Sequence, residues 1–325
     1  MNKHYWTWPI AIYLFLGGLG GGILSFALVF DILVPGSGEI FAMPVFIALV
    51  CLGLGCFFLV FELGQPTVFL RVFLTATAII KWGAILLSVA LIFGFVYWVS
   101  CLPWDFVAFL IPLRGICLAL AGICGALVMV YTGVLLASLK AHAFWSTPAL
   151  PVLFTVSALS TGSALCALAL GMWPFDPATF NNAAGLIVSL HEKELIYEAL
   201  HLIDMVLIGV ELLVLLMYVL LLRGSGNAVA RAVATRWVSG KVAPAFWGGM
   251  VIAGLLLPLA LYSGGGEAAA AVAPVLVLAG GCLLRFLVVF ADDRRKVPGE
   301  DRFYRRLPHH DAEFLTAWKN KEHLY

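Results

Sequence analysis

The sequence predicts an all-α integral membrane protein with eight transmembrane helices. Three observations carry that expectation. Of its 325 residues, 63% are hydrophobic and 11% are charged, and the mean hydropathy is strongly positive, outside the range of globular domains. Apolar windows of roughly 20 residues, long enough to cross the hydrocarbon core as a helix, recur along the whole chain. The charges between them segregate by side, as loops on opposite faces of a membrane do.

The first window, residues 8–33, contains Gly17, Gly18, Gly20, Gly21 and Gly22. Small residues recurring four apart form a surface for close helix packing. A phosphate cradle would instead follow a strand and open a helix in a soluble fold. The basic start, Lys3 and His4, imitates a signal peptide. The apolar run is about twice a signal's length and offers no convincing small-residue cleavage site, so it reads as a retained span. The second window, 41–63, closes on Glu62 and leads into Leu63-Gly64-Gln65-Pro66, a tight turn with Arg71 beyond it. The third covers 82–99. The fourth, 113–139, carries Tyr131-Thr132-Gly133 near its end, and the 144–151 stretch connects it to the fifth, 148–172. Windows at 198–222, 242–261 and 269–291 complete the set. One transmembrane domain therefore fills residues 1–291, and the polar tail 292–325 is too short to be another.

An even number of spans puts both termini on one face, called here the terminal face. Sixteen of the 19 Lys and Arg residues fall there: Lys3, Arg71, Lys81, Lys140, Arg223, Arg231, Arg236, Lys241 and eight in the tail. The far face has Arg114 and Lys193 against Asp31, Glu39, Asp105, Asp176, Glu192, Glu194 and Glu267. By the positive-inside rule alone, the terminal face is cytoplasmic.

Ionisable groups inside the spans are few. Asp204 and Glu211 lie seven residues apart in the sixth, and Arg285 lies in the eighth. At 100° per residue Tyr197, His201, Asp204, Ile208 and Glu211 share one stripe. Intramembrane carboxylates are costly and mark paths for protons, ions or polar groups; the structural alternative is that they pair with polar partners and fix helix register. His201 and Glu198, nearer the far surface, are expected to be solvated. Tyr13, Glu62 and Tyr131 fall toward the terminal face, where a phenol and a carboxylate suit the two oxygen ends of a quinone. For a single Tyr the aromatic belt is the simpler reading.

Haem b between spans needs two histidines on facing helices. Here His191 and His201 sit toward one end of one helix, and His191-Glu192-Lys193-Glu194-Leu195 lacks the second His of a zinc helix. The seven cysteines show no C-x-x-C spacing, so no metal site is expected. A secondary transporter would also carry buried carboxylates and glycine-rich helices. Residues 42–45 and 149–152 echo each other at an offset of 107, the kind of repeat transporters use.

Taken in chain order, Trp8-Pro9-Ile10-Ala11-Ile12-Tyr13-Leu14-Phe15-Leu16-Gly17-Gly18, Glu62-Leu63-Gly64-Gln65-Pro66, Tyr131-Thr132-Gly133 with the 144–151 stretch, Ser157-Ala158-Leu159-Ser160-Thr161-Gly162, Glu211-Leu212-Leu213 and Leu284-Arg285-Phe286 resemble the NrfD/PsrC family. This is the membrane subunit of polysulfide-reductase-type complexes. The resemblance implies two four-helix bundles in the inner membrane of a prokaryote, in contact with lipid, and binding of menaquinone or a related quinone without haem. It implies electron exchange with a four-cluster iron–sulfur subunit and, through it, a molybdopterin or multihaem catalytic subunit. Nucleic acid has no place in this scheme. Tyr13, Tyr131, Glu62 and Trp8 would serve the quinone, and Asp204, Glu211 and Arg285 a proton route. Arg71, Lys81, Arg231 and Arg236, in the basic loops 71–81 and 223–241, would dock the partner. Gln65 departs from the Arg common in the family's turn. In some family complexes the terminal face is periplasmic, so the side stays open.

Overall fold

A computed structural model describes residues 7–35, 37, 40–62, 79–102, 104–172 and 190–291. Among these the chain is helical and without strands: α1 Trp8–Leu33, α2 Ala42–Glu62, α3 Ile79–Ser100, α4 Arg114–Ala137, α5 Ala149–Met172, α6 Leu190–Gly224, α7 Ala228–Ser239, a π-helix Ala245–Leu256 running straight into α8 Leu257–Gly264, and α9 Glu267–Val289. Eight helical segments are long and apolar enough to cross a membrane, the seventh being the π-helix with α8. The helices divide as expected. α1 to α4 pack into one bundle and α5, α6, the seventh span and α9 into another, and the two meet where α1 touches α5 and α9 and where α4 touches α5.

The glycines of α1 explain why it can stand at that junction. Gly21 faces α4 so closely that an added Cβ would lie 2.5 Å from the Gly125 carbonyl oxygen, and one on Gly22 would lie 2.5 Å from that of Ala158 on α5. Neighbouring glycines thus serve different helices, and backbone-to-backbone packing replaces a hydrophobic driving force that lipid does not supply.

Several boundaries differ from the sequence expectation, each for a physical reason. α6 starts eight residues before the expected position of 198, because the Glu- and Lys-rich 192–194 segment favours helix and places Glu192 in the first turn, where the helix dipole favours an acid. The 223–241 segment, expected as a basic loop, holds the amphipathic helix α7. Asn227 caps it by accepting from the Val229 and Ala230 amides at 3.0 and 3.5 Å, and it buries Ala230, Val233, Ala234 and Trp237. The π-helix ends with the Leu257 amide bonded to the Ile252 carbonyl, five residues back. Pro258 follows at once, and its ring, lacking an N–H, disfavours the ordinary i−4 bond. The same segment brings Gly254 against Gly280 of α9, 2.6 Å from an added Cβ to the Gly280 Cα. The turn into α9 uses positive φ at Gly265 and Gly266, 70° and 107°, a conformation that glycine adopts without steric cost.

Candidate functional site

Polar groups gather in two places, one in each bundle. In the first, Tyr13 of α1 and Tyr131 of α4 are both buried, at 1% and 7% exposure. Tyr13 lies five residues from the terminal-face end of its helix and Tyr131 six residues from the same face, so both sit about 7–9 Å in at 1.5 Å per residue. Tyr13 is within electrostatic range of Tyr131 and of the Cys56 thiol. Two glycines make room. The Tyr131 phenol occupies the space a side chain on Gly83 of α3 would need, and the Tyr13 ring passes Gly55 of α2, 3.5 Å from an added Cβ. Toward the surface Trp8, half exposed, meets Phe58 edge to face at 5.7 Å between centroids. Glu62 follows Phe58 by one turn as the last residue of α2. Trp8, Tyr13 and Tyr131 are therefore brought to one end of one bundle, with Glu62 at the corresponding end of its helix.

In the second bundle Asp204 is fully buried. Its Oδ1 accepts from Ser160 Oγ at 2.8 Å, and its Oδ2 accepts from Tyr262 Oη at 2.8 Å. Ser163 Oγ stands 3.2 Å from Oδ1 and 2.9 Å from the Ser160 carbonyl, so its single proton serves one of them at a time. One carboxylate thereby ties α5, α6 and α8 together. Glu211, two turns along α6 and 2% exposed, is electrostatically coupled to Asp204 and Arg285. It faces Ser157 of α5, whose Oγ makes no formed hydrogen bond.

Arg285 of α9 is 1% exposed. Its Nη2 donates to the Phe154 carbonyl at 3.0 Å, and its guanidinium carbon stands 4.2 Å above the Phe154 ring. Nε and Nη1 have no hydrogen-bond partner. The expected approach to Glu211 is therefore a through-space coupling, without a contact ion pair. Arg285 also reaches Gly18 of α1, 3.7 Å from an added Cβ to Nη2. It thus lies at the seam between the bundles.

Of the expected docking residues, Arg231 and Arg236 are exposed on α7, Arg231 donating to the Ser225 carbonyl at 3.0 Å. Lys81 is partly exposed in the first turn of α3. Arg71, Gln65 and the tail 292–325 lie outside the described residues, as does the side chain of Glu62. Sequence reasoning missed Ser160, Ser163 and Tyr262. The serines were visible as hydroxyls three apart in an apolar span, and Tyr262 resembles any belt tyrosine until the fold sets it beside Asp204. His201 departs from its expected solvation, because both ring nitrogens are buried.

Eight apolar helices enclosing buried carboxylates and a cation define a multi-pass helical membrane protein. The family model described as polysulphide reductase, NrfD, matches residues 1–293, and the chain belongs to that family. It is 31% identical over 320 residues to the C subunit of the polysulfide reductase of Wolinella succinogenes, covering 89% of this chain and 95% of the relative. It is 25% identical over 317 residues to protein NrfD of Escherichia coli, covering 88% and 94%.

Proposed function

We propose that the chain is the quinone-reactive membrane subunit of a respiratory oxidoreductase complex in a prokaryotic inner membrane. In this role it exchanges electrons between menaquinone, or a related quinone, and an iron–sulfur subunit. The observation that carries the reading is the pairing of Tyr13 and Tyr131, buried at matched depth in one bundle, with Arg285 buried at the seam to the other. Similarity to a relative named as one subunit of a polysulfide reductase supports membership of a multi-subunit complex. The residues suit a quinone: two phenols offer donors at the inner end, and Trp8 with Phe58 forms an apolar wall at the outer end for an isoprenoid tail.

When bound, a quinone supplies two-electron, two-proton redox chemistry at its two carbonyl oxygens. Tyr13 and Tyr131 would hold such a group at its inner oxygen by O–H donation and orient it. Glu62, at the membrane edge, exchanges the proton with water on the terminal face. Arg285 and Glu211 carry charge compensation into the second bundle, and Asp204 holds a proton position deeper along α6, so that redox turnover and proton movement are coupled. Lys81, Arg231 and Arg236, with Arg71, present a basic terminal face to a four-cluster iron–sulfur subunit, behind which a molybdopterin or multihaem subunit meets the terminal substrate. Charge complementarity of this kind governs association rate and salt dependence.

Tyr131→Phe tests the reading. The complex should assemble normally, and oxidation of a quinol analogue should fall strongly with loss of a single donor. Unchanged turnover would remove Tyr131 from the site. Reversing Arg231 and Arg236 together should release the partner in a salt-sensitive way, and a complete complex surviving high salt would limit these charges to setting topology.

A further inference from the structure

Both ring nitrogens of His201 are buried and neither has a hydrogen-bond partner. A neutral imidazole carries one donor and one acceptor, and leaving both unmet in a dry interior is costly. The ring stands between two phenols, with centroids 4.4 Å from Tyr197 and 5.2 Å from Tyr262, edge to face in each case. Tyr262 is also the residue whose hydroxyl donates to Asp204 Oδ2 at 2.8 Å, and His201 lies one helical turn from Asp204 on α6.

His201 and Tyr262 line a cavity of about 260 Å³, walled by Leu202, Met205, Ala270 and the Gly265-Gly266 turn. That turn links α8 to α9 at the far face. At about 30 Å³ per molecule the cavity has room for several waters, and it offers the polar partners that ordered water needs. Cavity, imidazole, phenol and carboxylate therefore follow one another from the far surface inward.

We propose that His201, Tyr262 and this cavity form the aqueous port through which Asp204 exchanges protons with the far side; the inference rests on the proton role given to Asp204 above. A proton from cavity water binds one ring nitrogen of His201, and the proton on the other nitrogen leaves to water bridging toward Tyr262. Tyr262 passes its hydroxyl proton to Asp204 Oδ2 and regains one from that water. Each passage moves one proton, leaves Tyr262 as it began and His201 as its other tautomer, and a flip of the imidazole ring resets it for the next.

The test uses the assembled complex in proteoliposomes. His201→Ala should slow turnover-linked proton exchange about a hundredfold, a typical effect of losing a positioned proton carrier, with the KM for a quinol analogue unchanged. Imidazole added on the far side should restore it, a response that a structural role would not give. His201→Gln, closer in size, covers failure of the alanine variant to fold and should be slow as well. Ala270→Cys should react with a membrane-impermeant maleimide from the far side, scored above the seven native cysteines. Full-rate proton exchange in both His201 variants overturns the port, as does labelling of Ala270→Cys by lipid-soluble maleimide alone, which would mean that the cavity opens to lipid. Asp204→Asn run in parallel separates the levels: if it blocks proton exchange and the His201 variants do not, only the port fails. If Asp204→Asn also leaves exchange intact, the carboxylate route fails and takes the port with it.

Discussion

In the α1–α4 bundle the deep polar groups are phenols and hydroxyls, among them Tyr13, Tyr97, Tyr131 and Thr132. The buried cation there, Arg114, sits at the far end, where its guanidinium donates to the Oγ and carbonyl of Ser100. In the α5–α9 bundle Asp204 and Glu211 are buried in the middle of α6 and Arg285 is buried in the last turns of α9, and α5 supplies serines toward the carboxylates. The contrast teaches how a low-dielectric interior sorts polar chemistry. A phenol can be left where a ligand must enter, because desolvating a neutral group costs little beside desolvating an ion. A carboxylate must be held by fixed donors or coupled to a cation. In the proposed function the first bundle binds, and the second stores and moves charge.

If that contrast is right, disturbing the charged bundle destabilises the protein most. Arg285→Met removes the charge-assisted hydrogen bond to the Phe154 carbonyl together with the cation nearest Glu211, and should cost about 1.5–3 kcal/mol. Adding Glu211→Gln should recover much of the loss, read from thermal unfolding in detergent as a double-mutant cycle. Equal stability of Arg285→Met and the parent would mean that the two bundles do not differ in this way.

A smaller effect is expected where one of several donors is lost. Tyr262→Phe removes the hydrogen bond to Asp204 Oδ2 and should cost about 1–3 kcal/mol, whereas Tyr131→Phe should change stability by no more than about 0.5–1.5 kcal/mol. Similar unfolding temperatures for the two variants would erase the distinction between holding charge and leaving a donor for a ligand.

The seam between the bundles gives the third comparison. Gly22→Ala drives a Cβ into the Ala158 carbonyl and should cost about 1–3 kcal/mol by overpacking. Gly53→Ala, with nothing within 4 Å of its added Cβ, should be neutral or slightly stabilising through helix propensity. Equal behaviour of the two would show that α1 is not the close-packed junction.

The number of spans and the place of the buried carboxylates were legible because both are local signals. Hydrocarbon thickness fixes the length of an apolar run, and a lone Asp204 or Glu211 in such a run is conspicuous. Pairing between distant segments was not. Nothing between Ser160 and Tyr262 in the sequence tells that both converge on Asp204, since hydroxyls are tolerated anywhere on a membrane helix that can bond its own backbone, as Thr161 does to the Ser157 carbonyl at 2.8 Å. α7 was hidden because its basic residues dominate a short stretch whose buried face is only four residues, two of them alanine. The π-helix was hidden because its cause, Pro258 after a glycine-rich run, reads locally as a kink. The shielding of the His201 ring nitrogens was not legible, as it depends on how α8 folds back over α6.

A division of labour between the bundles is the central claim, and one paired measurement reaches it directly. Proton movement per quinol oxidised is recorded in proteoliposomes of the assembled complex carrying Tyr131→Phe or Asp204→Asn. The expected outcome is that Tyr131→Phe lowers the rate while its residual turnover keeps the parent's proton ratio, and that Asp204→Asn keeps the KM for the quinol analogue while the ratio falls. A Tyr131→Phe complex with altered ratio and normal rate, or an Asp204→Asn complex with parental rate and ratio, would contradict it.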